Sequence, residues 1–238
     1  MSLPKPSLPT YELELPSSGK KIKYRPFVVR EEKILLLAME SEDEEQIKIA
    51  IKDILTSCII SRIKVEDLAS FDLEYLFLRI RAASVGEEIK LKVTCLDDNE
   101  TQVEAVINVM DIEVYKPENH SNKIMLSNDL GIVMKYPKMD QFVNFTLLEK
   151  DLNSSEEVIE LVANSIDQIF NDEDVWDGDS TPVKERIDFV ESLTQPQFEK
   201  IREFFETMPV LKHVFTVVNP NTGVTSNYTL EGLQSFFG

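Results

Sequence analysis

The chain has 238 residues, 42% of them hydrophobic, and carries 43 acidic against 25 basic side chains for a formal charge of −18. Such a length buries a sizeable core as one domain or two small ones; the mean hydropathy is −0.17, and no apolar run approaches the roughly 20 residues of a membrane span. The negative field repels polyanions, which disfavours nucleic acid as a partner, and two separated cysteines, Cys58 and Cys95, make no disulfide framework and point to a reducing cytoplasm.

Residues 1–10 read as an extended arm, because prolines fix φ and bias the residues before them away from helix; the segment lacks the apolar stretch of a signal or transit peptide. Tyr11-Glu-Leu-Glu-Leu alternates, and Ile22, Tyr24 and Phe27 follow a glycine-containing turn, which predicts a hairpin. Its second strand holds Lys20, Lys21, Lys23 and Arg25, read as a solvated edge. Residues 30–41 form a predicted helix with Ile34, Leu35, Leu37 and Ala38 on its inner face. A second helix is predicted over 43–60, where Ile47, Ala50, Ile51, Ile54, Leu55, Cys58 and Ile59 recur at helical spacing, Cys58 as a small buried hydrophobe. A third, over 70–83, groups Leu73, Leu76, Phe77 and Ile80. The period then changes. Ile89, Leu91, Val93 and Cys95 alternate with polar residues, as do Val103, Ala105, Ile107 and Val109 beyond an Asp-Asn turn, so both strands of a hairpin are set in register. Short strands are predicted at 123–126 and 132–136.

The second half reads as mostly helical, with a first helix over 139–149. Ser154 and Glu157 form a capping box opening a helix with Val158, Leu161, Val162, Ile166, Ile169 and Phe170 on its apolar face. After the acidic loop 171–180, Thr181-Pro182 starts another helix. Thr194 with Gln197 starts the last one, which buries Phe198, Ile201, Phe205 and Met208. A final hairpin turns at Asn219-Pro-Asn-Thr-Gly223 and leads to an apolar tail, Leu233-Gln-Ser-Phe-Phe-Gly. The order predicts an α+β fold of antiparallel hairpins and small sheets packed with amphipathic helices, helix-rich towards the C-terminus. The expected division is an N-terminal α+β domain over 1–152 and a helical region with a terminal hairpin over 153–238.

The chemistry of a catalytic or metal site is missing from these patterns. His120 and His213 are the only histidines, and neither has a ligand-type neighbour at metal-binding spacing. His213 falls on a strand as a structural histidine, and His120 is expected on an exposed loop. Cys95-Leu-Asp-Asp98 has aspartate where a zinc knuckle needs its second cysteine. In the acidic loop, setting Gly178 as the turn glycine of a calcium site puts Lys184, not glutamate, at the closing position, so a solvated loop is expected, with Trp176 as its anchor to the core. No phosphate-cradling glycine pattern and no nucleophile elbow occur. No catalytic, cofactor-binding or metal residue is therefore assigned, and function is expected to be binding. A hydrolase acting through paired carboxylates is the enzyme-class alternative.

Several segments resemble one known family: Tyr11-Glu-Leu-Glu-Leu-Pro-Ser-Ser-Gly, then Ile22-Lys-Tyr-Arg-Pro-Phe-Val-Val-Arg-Glu-Glu-Lys, Leu73-Glu-Tyr-Leu-Phe-Leu-Arg-Ile-Arg-Ala-Ala-Ser-Val-Gly-Glu, the Cys95-Leu-Asp-Asp hairpin, Phe198-Glu-Lys-Ile-Arg-Glu-Phe-Phe-Glu-Thr-Met-Pro, Asn219-Pro-Asn-Thr-Gly-Val and the Leu230-Glu-Gly-Leu-Gln-Ser-Phe-Phe-Gly ending. In this order and combination, over nearly the whole chain, they resemble the baseplate hub subunit family of T-even-like tailed phages, in its cyanophage and pelagiphage branches. The resemblance implies a structural or assembly subunit of the central hub of a contractile-tail baseplate, without cofactor. The implied partners are other hub proteins, with a homo-oligomer open, and neither nucleic acid nor membrane. The implied location is the virion baseplate or the host cytoplasm during assembly. The alternative within the binding class is an assembly chaperone that leaves the particle. Leu3 and Leu8 in the arm, and Leu233, Phe236 and Phe237 in the tail, are candidate partner contacts, as segments that order on a partner. The competing reading folds the tail phenylalanines back onto their own domain.

Overall fold

The structure, a computed structural model, describes residues 6–41, 43–138 and 156–236. Its elements in chain order are β1 (Tyr11–Glu14), β2 (Lys21–Tyr24), α1 (Val29–Glu40), α2 (Glu44–Cys58), α3 (Ser70–Val85), β3 (Glu88–Thr94), β4 (Gln102–Asn108), β5 (Glu113–Tyr115), β6 (Lys123–Met125) and β7 (Gly131–Met134). There follow α4 (Glu156–Asn164), β8 (Ile166–Phe170), β9 (Val175–Asp177), α5 (Val183–Glu191), α6 (Gln195–Glu206), β10 (Val210–Val218) and β11 (Thr225–Glu231). The sheets are small and antiparallel, in the orders β1-β2, β3-β4, β11-β10-β5 and β6-β7-β8-β9. The fold is α+β, as the order of patterns predicts. The β3–β4 register pairs Ile89 with Ile107, Leu91 with Ala105 and Val93 with Val103, the alternating residues of the sequence. Its turn places Asn99 at φ 56, a left-handed conformation that asparagine tolerates.

The chain divides into two compact units, one of Met1–Tyr115 with Val210–Gly238 and one of Lys116–Pro209. The expected division near residue 152 differs from this one, and residues 139–155 lie outside those described. The reason is a non-local pairing: β10 runs antiparallel to β5, with Val210 opposite Tyr115 and Leu211 opposite Val114. The second unit is thus inserted between two paired strands, and the terminal hairpin belongs with the N-terminal elements. Periodicity reveals strands but not their partners.

In the first unit α3 is the central element. It buries Phe71, Leu73, Leu76, Phe77, Leu78 and Ile80, and with them Asp72, Glu74 and Arg79. Helix α1 is anchored by Glu31, which pairs with Arg25 in a two-point bridge (2.7 and 3.0 Å) and accepts the Val28 N–H at 2.8 Å. The Arg25 hydrogen bonds hold the Glu31 carboxyl below its usual range. With Glu31 fixed inward, the buried stripe is Glu31, Leu35 and Ala38. Ile34 and Leu37, expected inside, are exposed instead.

The second unit packs Leu126, Ile132, Met134, Val162, Ile166, Ile169, Ile201, Phe204 and Phe205 into one core. Thr194 and Gln197 cap α6 as expected, the Gln197 oxygen accepting the Thr194 N–H at 2.9 Å. The predicted helix through Phe170 instead ends at Asn164. Ser165 satisfies its last turn, donating N–H to Leu161 and Val162 at 3.0 Å each, and its own carbonyl accepts the Lys135 N–H at 2.7 Å. That last bond delivers the chain to the sheet beside β7. Ile166 and Ile169, three apart, fit a helix and would point to opposite faces of a regular strand. A bulge resolves the conflict: Met134 faces Ile166 while Val133 faces Gln168, so one residue is inserted and both isoleucines turn inward. Beyond it, part of the expected loop is β9, and Trp176 is 44% exposed on that edge strand and anchors no core. The predicted helix over 139–149 and the Ser154 cap lie outside the described residues.

Gly178 follows β9 where a Cβ would stand 2.3 Å from the Ile166 carbonyl oxygen and 2.9 Å from that of Asp167. Both obstacles are backbone, so no side-chain shift relieves them. Gly178→Ala is expected to destabilise the second unit by about 2 kcal/mol, read as an earlier urea transition in the fluorescence of Trp176, the chain's one tryptophan.

Candidate interaction surfaces

Helix α1 leaves several apolar side chains exposed. Val29 is 80% exposed and Leu37 55%, and with Leu36 they lie on the side opposite Glu31, Leu35 and Ala38, interleaved with the exposed Lys33 and Glu40, while Ile34, also exposed, flanks the buried stripe. Exposed apolar side chains gathered on one side of a helix offer a contact surface. The spacing of the sequence was consistent with burial of Ile34 and Leu37, and the Arg25–Glu31 bridge holds the helix with Glu31, Leu35 and Ala38 inward instead.

The residues considered for chemistry have structural partners. Asn219, buried, donates its amide to Asp97 (3.0 and 3.1 Å) and Asp98 (2.8 Å), and the Asn221 amide donates to the Thr101 hydroxyl at 2.9 Å. The tip of the β3–β4 hairpin is thereby latched to that of the β10–β11 hairpin. Hydrogen bonds from Thr222 and Asn219 hold the Asp97 carboxyl below its usual range, and those from Thr101 and its neighbours do so for Asp98. Cys95 and Cys58 are buried, and burial pushes the Cys58 thiol up to about 11, out of reach of ordinary thiolate chemistry. In the acidic loop, Asn171 Oδ1 accepts the N–H groups of Glu173 and Asp174 at 2.9 and 2.7 Å, and Asp177 Oδ1 that of Ser180 at 2.8 Å. Among the described residues no three His, Cys, Asp or Glu side chains form a metal-holding group, and no helix is long and apolar enough to cross a membrane.

His213 is half-buried on β10 and stacks on Phe215 at 6.2 Å. His120 departs from expectation, being buried rather than on an exposed loop. Its Nδ1 lies 3.0 Å from the Thr207 hydroxyl and its Nε2 3.0 Å from the Tyr136 hydroxyl, with Phe204 at 5.1 Å. The Thr207 proton goes to the Glu203 carbonyl at 2.7 Å. Nδ1–H therefore donates to Thr207, and Nε2 shares a hydrogen bond with the Tyr136 hydroxyl. Nothing in Pro117-Glu-Asn-His signals this, since all the partners are distant in sequence.

The model of the family described as T4 bacteriophage base plate protein matches residues 8–238. The chain belongs to this family. No curated protein and no solved structure matches it. As a base plate protein, it is expected to work through surfaces, and the ends of the chain were the first candidates. Leu8 is exposed. Leu233 is not: it is 7% exposed at the start of a 3-10 turn, Leu233–Phe236, and its N–H donates to the buried Glu74 carboxyl. The apolar side chain and the carboxyl's need for a donor both draw Leu233 back onto its own unit. Leu3, Phe237 and the side chain of Phe236 lie outside what is described.

Burial pushes the Glu74 carboxyl up to about 7. A raised folded pKa means that the unfolded chain ionises first, so the stability due to Glu74 is full at low pH and is lost as pH rises from the ordinary value through about 7. Glu74→Gln is expected to remove most of that loss, on the order of 3 kcal/mol, in urea transitions compared at pH 5 and pH 8. His120 has the opposite sign. Burial, aided by Lys116, lowers its pKa, so its contribution is present above the ordinary histidine value and falls away as pH drops below it. His120→Gln is expected to flatten the acid-side loss in Trp176 fluorescence transitions.

Proposed function

We propose that the chain is a structural or assembly subunit of the central hub of a contractile-tail baseplate, acting by protein–protein binding rather than catalysis. The observation that carries this reading is the group of exposed apolar side chains on the outer side of α1, Val29, Leu36 and Leu37, on a member of the base plate family. Apolar side chains in a polar surround are what a subunit offers to a neighbour, while a charge of −18 keeps free copies apart until that neighbour is met. The partners in this reading are other hub proteins, the site of action the baseplate, and the place of assembly the host cytoplasm. The arm through Leu3 and Leu8, and the tail end Phe236 and Phe237, are proposed as additional contacts.

Replacing Leu36 and Leu37 with aspartate tests the reading. The thermal midpoint should hold within a few degrees, because both side chains are exposed, while capture of baseplate proteins from infected cells drops at least about tenfold, as loss of two apolar anchors predicts. Undiminished capture would sink it. Mass spectrometry of purified particles then separates a subunit that stays, found at stoichiometric level, from a chaperone that leaves.

A further inference from the structure

The end strand of a sheet can accept another strand, and proteins guard such edges with charge, short length, bulges or proline. Among the described residues, β1 to β4 expose charged side chains such as Glu12, Lys23, Lys90 and Glu104, and the edge strands β5, β6 and β9 are 3 residues long each. Strand β11 has neither guard. It runs 7 residues in unbroken register with β10, contains no proline, and exposes Thr225, Asn227 and Thr229. Its one charge, Glu231 at the end, is bound by Lys212 at 2.7 Å.

Hydrogen bonds at both ends of the β10–β11 hairpin fix which backbone groups are spare. Asn219 donates its N–H to the Val224 carbonyl and Gly232 to that of Leu211, each at 2.9 Å. The even-numbered residues of β11 therefore face β10, and the N–H and C=O of Thr225, Asn227 and Thr229 point away from it. None of these groups has a hydrogen-bond partner among the described residues. The free edge ends at Glu231, whose carbonyl accepts the Ser235 hydroxyl at 2.6 Å. From the other face of the strand, the Tyr228 hydroxyl donates to the Thr94 carbonyl at 2.8 Å and accepts the Leu96 N–H at 3.1 Å, so β11 is already held in its extended form.

We propose that β11 is a dimer edge: it pairs antiparallel with β11 of a second copy about a two-fold axis at Asn227, joining their two sheets into one. The occupant is a second copy because the edge is self-complementary. With the axis at Asn227, Thr225 of each copy meets Thr229 of the other, so every spare N–H faces a spare C=O. The opposed side chains are uncharged, Thr against Thr and Asn against Asn, and two facing amides donate to and accept from each other. In a chain of −18 this edge lets two copies meet without opposing like charges. The site goes beyond the hub reading and is independent of it: it concerns β11, not α1, and its failure leaves the α1 test untouched.

The test is sedimentation velocity of the whole protein from about 10 µM to about 1 mM at physiological salt, which screens the repulsion between acidic copies. One strand edge is a small interface, so a weak dimer is expected, with a dissociation constant on the order of 100 µM. Asn227→Lys sets two lysines face to face and should weaken it at least about tenfold, with the thermal midpoint unchanged because the site is exposed. Asn227→Cys, incubated with oxidised glutathione, should give a disulfide-linked dimer, since paired residues lie about 5.5 Å apart between Cα atoms. Thr225→Cys, which meets Thr229 in this register, should not. The proposal is overturned by a monomer across the whole range, or by a dimer that Asn227→Lys leaves intact. Equal cross-linking of the two cysteine variants overturns it too, as does a monomeric chain whose capture of a baseplate protein is lost in Asn227→Lys, which would make the occupant a strand of that protein.

Discussion

Helix α3 is buried on all its faces, and three ionisable side chains go in with it. Asp72 accepts the N–H and hydroxyl of Ser17, from the turn of the first hairpin. Arg79 donates to the carbonyls of Val109 and Ile112 at 3.0 and 2.9 Å, from the turn after β4. Glu74 meets Leu233 from the far end of the chain. A buried polar group left without its partner costs several kcal/mol if charged, so α3 is stable inside only when all three segments are in place. The condition ties the first hairpin, the middle hairpin and the tail into one unit, though more than 200 residues separate the first from the last.

The same unit is closed at its other end by polar contacts between hairpin tips. Cys95-Leu-Asp-Asp and Asn219-Pro-Asn-Thr-Gly, both among the segments that carry the family resemblance, are partners: the carboxylates of the first accept hydrogen bonds from the side chains of the second. What resembled a half-formed metal knuckle is half of an interlock. Together with the β5–β10 pairing, the latch closes the first unit, whose two chain segments flank the second in sequence. The exposed apolar side chains Val29, Leu36 and Leu37 of α1 take no part in these contacts.

Legibility followed the range of the interactions. Hairpins were readable because strand alternation and a turn residue such as Asn99 are local, and the α6 cap because Thr194 and Gln197 are three residues apart. Errors arose where a distant partner decides. The spacing of Ile166 and Ile169 fits a helix until a bulge opposite Met134 makes it fit a strand. The rotation of α1 follows Arg25, the burial of His120 follows Thr207 and Tyr136, and the seat of Leu233 follows Glu74.

By itself the sequence determined the acidic character, the α+β class, most hairpins and the absence of a motif for catalysis, because charge, alternation and motif spacing are written along the chain. It also carried the resemblance to baseplate proteins that the family match supports across residues 8–238. Tertiary structure alone decided which strands pair, where the units divide and which apolar residues face out. Those outcomes depend on satisfying buried polar groups such as Glu31, Asp72 and Arg79 with partners from other segments, and no local pattern records where a buried charge will find its partner.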